Sequence, residues 1–355
     1  MANDTVPATK SRKFHHKSRY GCAPCKKRRI KIYTAAAFTK PGSPSLAKLF
    51  REDIPSLSAS FSFLGHGLLS VAYIHLASLS QPKTSKKLLI DSAYHFNQAL
   101  PGYLESIKNI TENNSSALFG FAIFVVLVSF ANSSEEASVL LQRAEDQPYK
   151  CEETIRGLSV AAARVARSIQ NIFGIFWRCQ QWISSGPLSP AIRRYIPPTL
   201  SENLMEWIRV EDEHLARLGR LWGEAPTVPL EQACTLSASL SCLRDTFAMV
   251  TQLIVLPPKN NEESNIETSS YDLRRMHRKL SAGRLDDIPS VFTWYIRLSP
   301  EFVSLMEQGN AYAMVVLAHY AIVLDRACSD RWWTHRLSQR FVAVAELILG
   351  PGYLE

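Results

Sequence analysis

Apolar residues recur at helical spacing along most of the chain, and strand-like alternation of useful length is absent, so the pattern predicts an all-α body. Phe61–Leu79 is apolar almost all round, the mark of a buried helix, and 83–100 is amphipathic with a basic first turn. A loop rich in Asn, Thr and Ser is expected at 109–116, followed by an apolar helix at 117–130. Ser133-Ser134-Glu135-Glu136 has the hydroxyl-then-acid order that opens a helix, here running to about Asp146. In 151–177, Ile155, Leu158, Ala162, Val165, Ile169, Ile172 and Phe176 alternate in steps of three and four. That seam fits either a dimerising coiled coil or a core helix, and Phe173 and Trp177, which widen the apolar face, favour the core.

Four prolines, Pro187, Pro190, Pro197 and Pro198, mark a long connection. Helices are then expected at 199–222, 229–256, 310–328 and about 330–349, with a polar loop at 257–267 between the second and third. The run KPGSPSLAKLFREDIPSLSAS at 40–60 reads as a Pro/Ser-rich linker. The expected organisation is a segment at 1–39, a linker at 40–60 and one helical domain over 61–355.

Charge makes the first segment distinctive. The chain of 355 residues carries 40 Lys and Arg against 32 Asp and Glu. Residues 1–40 hold 11 of the basic residues and a single acid, Asp4, so the rest of the chain is close to neutral. A basic arm on a neutral body points to a polyanionic partner, although short basic tails also serve in nuclear import. The N-terminus lacks the apolar stretch of a secretory signal, and an odd set of seven scattered cysteines argues against a disulfide framework, so a reducing, intracellular setting is expected. For the same reason the N-x-S/T matches at Asn109, Asn113, Asn114 and Asn132 carry little weight as glycosylation sites. The most apolar run, Ala117–Phe130, is 14 residues long, short of the roughly 20 needed to span a bilayer, and no membrane span is expected.

Within the arm, Cys22-Ala23-Pro24-Cys25 leads directly into Lys26-Lys27-Arg28-Arg29-Ile30-Lys31. Two thiolates at this spacing can grip one side of a tetrahedral zinc, and a basic helical turn behind them could meet phosphates and base edges. The stretch resembles the first half of the fungal binuclear zinc cluster, C-x2-C-x6-C followed by a similar half. The resemblance implies zinc as cofactor with Cys22 and Cys25 as its first ligands, and Arg28 and Arg29 as readers of a CGG half-site in DNA. It also implies Lys26, Lys27 and Lys31 as phosphate contacts. The sequence departs from the pattern at Ile32, where the third cysteine is due; four of the six expected ligands are absent, and the abrupt change after Lys31 points to a missing segment. His15 and His16 are the nearest other metal-ligating side chains.

A second resemblance covers most of 60–355. Ile74-His75-Leu76-Ala77, Tyr94-His95-Phe96, Leu317-Ala318-His319-Tyr320-Ala321-Ile322-Val323-Leu324 and Trp332-Trp333 are similar, in this order, to the regulatory domain of zinc-cluster regulators of the sterol uptake control type. Thr334-His335-Arg336 stands where that family carries a Gly-rich segment. The resemblance implies a nuclear transcription regulator whose helical domain binds a sterol or other apolar ligand, and which pairs as a homo- or heterodimer. Met314, as adaptable filler, and His319 and Tyr320, as a polar anchor, are the expected ligand contacts, against the simpler reading of these helices as core. A regulatory adaptor without DNA binding, acting by pairing with an intact relative, is the alternative. An enzyme is not expected. Asp286-Asp287 resembles the metal-binding carboxylates of helical terpene synthases, but it is one pair followed at once by Ile288-Pro289, and G-x-S-x-G, H-E-x-x-H and P-loop motifs are absent.

Overall fold

The computed structural model describes residues 47–146, 151–192, 202–255, 288–328, 331–334 and 337–349. About 90% of them are helical and none is in a strand, so the all-α expectation holds. The basic arm with Cys22, Cys25, Lys26, Lys27, Arg28, Arg29 and Lys31 lies outside the described residues, as do the 257–267 loop and Asp286-Asp287.

A short π-helical turn at Leu49–Asp53 leads into α1 (Ile54–Ser60). Leu49 and Ile54 are fully buried against the rest of the body, which corrects the expected linker at 40–60: by Leu49 the chain is already part of the core. The Pro/Ser composition concealed three apolar residues, Leu49, Phe50 and Ile54, spaced as one helical face.

Three antiparallel hairpins follow. The first joins α2 (Ser62–Ser78) to α3 (Pro82–Lys108). Pro101 does not end α3, which continues past the expected boundary at 100. Its missing N–H falls on a solvent-exposed face where water can serve the freed carbonyl, while Tyr103, two residues further, packs against Phe121 with ring centroids 4.4 Å apart.

The second hairpin joins α4 (Glu112–Asp146) to α5 (Cys151–Ser185), each 35 residues long. The expected loop at 109–116 is a brief turn, because Asn114 accepts from the Thr111 amide at 2.8 Å and donates to the Asn109 carbonyl at 2.9 Å, pinning the helix start. Nor does a new helix begin at Ser133. Two serines inside α4 make tertiary hydrogen bonds: Ser133 Oγ donates to the Ala161 carbonyl at 3.0 Å, and Ser129 and Ser168 share a bond of 2.8 Å. These pairs fix α5 antiparallel to α4, and the 3,4 seam of α5 lies in the core, with Leu158, Ala162, Val165 and Ile169 buried.

Glu112–Arg143 and α11 (Ala311–Cys328) are each long and apolar enough to cross a membrane, and 72% and 56% of their most apolar windows are buried inside the fold. The apolar run at 117–130 is thus the interior part of a much longer helix, whose composition follows from burial on several sides.

Between these hairpins and the last, α6 (Glu202–Arg217), the single turn α7 (Arg220–Gly223) and α8 (Leu230–Val255) pack at one end. Arg244 of α8 holds Asp212 of α6 through two hydrogen bonds of 2.7 and 2.6 Å. The segments α9 (Thr293–Arg297) and α10 (Pro300–Glu307) lie across α5, whose Gln170 amide donates to the Leu298 carbonyl at 2.8 Å. Gly309 closes α10 with φ +68°, a left-handed conformation that suits glycine, and Asn310 then caps α11 by accepting from the Ala313 amide at 3.1 Å. The third hairpin pairs α11 with α12 (Leu337–Leu349) through a 3-10 turn at Trp332–Thr334.

Candidate functional site

Among the described residues, α2, α3, α4 and α12 enclose a groove of about 520 Å³, inside the usual range for small-molecule sites. One wall is the α2–α3 hairpin, the opposite wall is the middle of α4, and the end is closed by Trp332-Trp333 and α12. The groove exists because α3 packs extensively on α2 but only slightly on α4, leaving its Leu89–Phe96 side short of a neighbour. Ile74, Leu89, Phe96, Val128 and Trp332 supply apolar lining, and Trp333 is buried behind them with its ring 5.4 Å from that of Phe130. Ser85, Asn97, Asn132 and Glu135 supply polar groups. Arg340 reaches from α12 to the carbonyl and hydroxyl of Ser134, which fixes the last helix against α4 at the edge of the groove.

Beneath the α3 wall runs a polar seam. His66 and His95 face each other through Nδ1 atoms 2.9 Å apart, and one turn further Ser70 and Ser92 share a buried hydrogen bond of 2.9 Å. Burial lowers the His95 imidazole to about 4, assisted by the neighbouring His66 and opposed by Asp91. Burial also lowers His66, and lowers His75, whose ring packs 5.0 Å from that of Trp332 at the groove end.

The expected ligand contacts lie elsewhere. Met314 and Tyr320 are completely buried in the α11 core, and the Tyr320 hydroxyl donates to the Val291 carbonyl at 3.0 Å. His319 is half-buried, with Nδ1 2.8 Å from the Val315 carbonyl on its own helix. None of the three lines the groove; in the structure these side chains are engaged in packing and internal hydrogen bonds. By contrast, the strings at Ile74–Ala77, Phe96 and Trp332-Trp333 converge on the groove from three parts of the chain. Asn132, Glu135 and Arg340 were not legible as site residues, because nothing local distinguishes them from surface polar groups. Among the described residues no three His, Cys, Asp or Glu side chains gather as metal ligands.

Over 109 residues the chain is 30% identical to Sterol uptake control protein 2 of Saccharomyces cerevisiae (strain ATCC 204508 / S288c). The similarity is distant and partial. It covers 31% of this chain and 11% of that protein, so the chain spans a small fraction of the relative's length. No family model matches the chain, and no solved structure matches it at a significant level.

Proposed function

We propose that this chain is a transcription regulator of the zinc-cluster type, in which the basic arm contacts DNA and the helical body couples a small apolar ligand to activity in the nucleus. The observation that carries the reading is the joint presence of Cys22-x2-Cys25-Lys26-Lys27-Arg28-Arg29 and a helical body in a chain with partial similarity to a sterol uptake control protein. In this mechanism Lys26, Lys27 and Lys31 neutralise phosphates, and Arg28 and Arg29 each offer a bidentate fork to guanine in the major groove. Zinc would be gripped on one side by the Cys22 and Cys25 thiolates. Two thiolates leave a tetrahedral ion incomplete, so further ligands must come from elsewhere, His15 and His16 or a second chain.

The ligand site of this reading is the α2–α3–α4 groove, whose apolar body and polar rim suit a flat hydrocarbon with one or two polar ends, such as a sterol. Trp332 and Phe96 would clasp its faces, with Asn97, Asn132 and Glu135 within the same groove to receive a hydroxyl.

The absence of four expected cysteines supports a second reading, an adaptor that pairs with an intact regulator and does not itself read DNA. Affinity for CGG-containing and scrambled duplexes at two salt concentrations, measured alongside zinc content, separates the two. Bound zinc with CGG preference supports the DNA reader. Absent zinc, with weak binding indifferent to sequence, supports the adaptor.

A further inference from the structure

Among the described residues, no element covers the outward face of α3. At 100° per residue, Ile90, Tyr94, Pro101 and Leu104 fall within about 40° of one line on the helix, a stripe about 21 Å long. All four are exposed: Ile90 63%, Tyr94 54% and Leu104 58% among them. Leu79, in the turn just before α3, is 71% exposed beside the same end. Lys83, Lys86 and Lys87 stand at one end of the stripe and Lys108 at the other, all exposed, with Glu105 paired to Lys108 at 2.6 Å. This contradicts the ordinary economy of a helix, which keeps cations away from its N-terminal turns and apolar groups away from water.

We propose that this face docks an acidic amphipathic helix of another protein. The stripe is about four helical turns long, the span over which a helix presents anchors at i, i+4, i+7, i+11 and i+14. Asn97 is a polar break in the middle of the stripe, and it and Ala93 also line the groove, so a helix laid along α3 passes beside the groove rim. Charge selects the partner. Lys83, Lys86 and Lys87 make the N-terminal end of the face cationic, while Lys108 at the other end is paired with Glu105, so an amphipathic helix with Asp and Glu concentrated at the end that meets Lys83–Lys87 complements it. The surface is separate in sequence from the basic arm and borders the ligand groove, and the inference stands whether or not the arm reads DNA.

The test uses the full chain and a fluorescently labelled 22-residue synthetic peptide carrying Leu at i, i+4, i+7 and i+11 and Glu on the flanks. A scrambled peptide of the same composition is the control, and anisotropy is read at low and high salt. The expected result is saturable binding of the amphipathic peptide that weakens at least tenfold in Ile90→Ser/Leu104→Ser and again in Lys86→Glu/Lys87→Glu. These positions are exposed, and unchanged thermal unfolding of each variant verifies an intact fold. Equal binding of the scrambled peptide, or binding that persists in both variants, would place the interaction on the basic arm and overturn the proposal. So would the variants impairing only association with phosphatidylserine vesicles, or only self-association of the chain, without peptide binding at α3.

Discussion

His66 and His95 meet Nδ1 to Nδ1 at 2.9 Å across the α2–α3 seam, so at neutral pH one imidazole is the Nδ1–H tautomer and donates to the other. Tyr73 stacks on the His95 ring at 5.4 Å and closes the site from the α2 side, and Asp91 is the charged neighbour on α3. With His95 lowered from 6.5 to about 4, the unfolded chain binds more protons than the folded one between those values. Stability is therefore expected to fall as pH drops through this window, by at most about 1.4 kcal/mol per pH unit for one such group. Urea midpoints at pH 7, 6, 5 and 4.5 test this, and His95→Gln should flatten the slope. A slope unchanged in that variant would assign the acid sensitivity to other groups.

Gly67 marks the closest approach of α2 to α4. A Cβ there would lie 2.6 Å from a ring carbon of Phe121, which is itself held by Phe63, Phe96 and Tyr103. Gly67→Ala is expected to destabilise the protein by about 1–3 kcal/mol through overpacking, despite the better helix propensity of alanine. Chemical denaturation gives the value directly.

Two tyrosines in one aromatic cluster should respond with opposite sign. Their rings are 4.7 Å apart, yet Tyr320 donates its hydroxyl to the Val291 carbonyl while the buried Tyr295 hydroxyl has no hydrogen-bond partner among the described residues. Tyr320→Phe leaves a carbonyl unpaired and should cost about 1–3 kcal/mol, whereas Tyr295→Phe removes an unserved polar group and should stabilise by about 1 kcal/mol. Thermal melts of the two variants side by side are sufficient, since equal signs would refute the assignment of the bonds.

If the groove holds the ligand, filling it should abolish binding without unfolding the body. Ala131 lines the groove from α4, and Ala131→Trp is expected to weaken binding of a fluorescent sterol at least tenfold with an unchanged melting temperature. Tyr320→Phe should leave that affinity untouched, because Tyr320 is walled inside the core. The reverse outcome would return the ligand site to α11.

For the arm, each lysine removed from Lys26, Lys27 and Lys31 should reduce the slope of log affinity against log salt by about one, equally for all duplexes. Arg28→Ala or Arg29→Ala should instead lower affinity for CGG duplexes selectively, by about 1–3 kcal/mol. A uniform loss from the arginine variants would mean that they too act only on phosphate.

The all-α class, the positions of α2, α5, α8 and α11, and the charged arm were determined by the sequence itself, because helical period and charge clustering are local properties that a linear reading preserves. Tertiary structure decided whatever depends on a partner distant in the chain. Ser133 could have capped a helix, but Ala161 offers it a carbonyl, so α4 runs on. Pro101 could have ended α3, but Tyr103 finds Phe121 beyond it. Leu49 and Ile54 sit in a run with the composition of a linker, and burial against the body makes them core. Met314 and Tyr320 are buried by packing of α11 against its neighbours, which the local sequence does not show. The groove is assembled from α2, α3, α4 and the Trp332-Trp333 turn, segments separated by up to about 250 residues whose meeting no local pattern encodes.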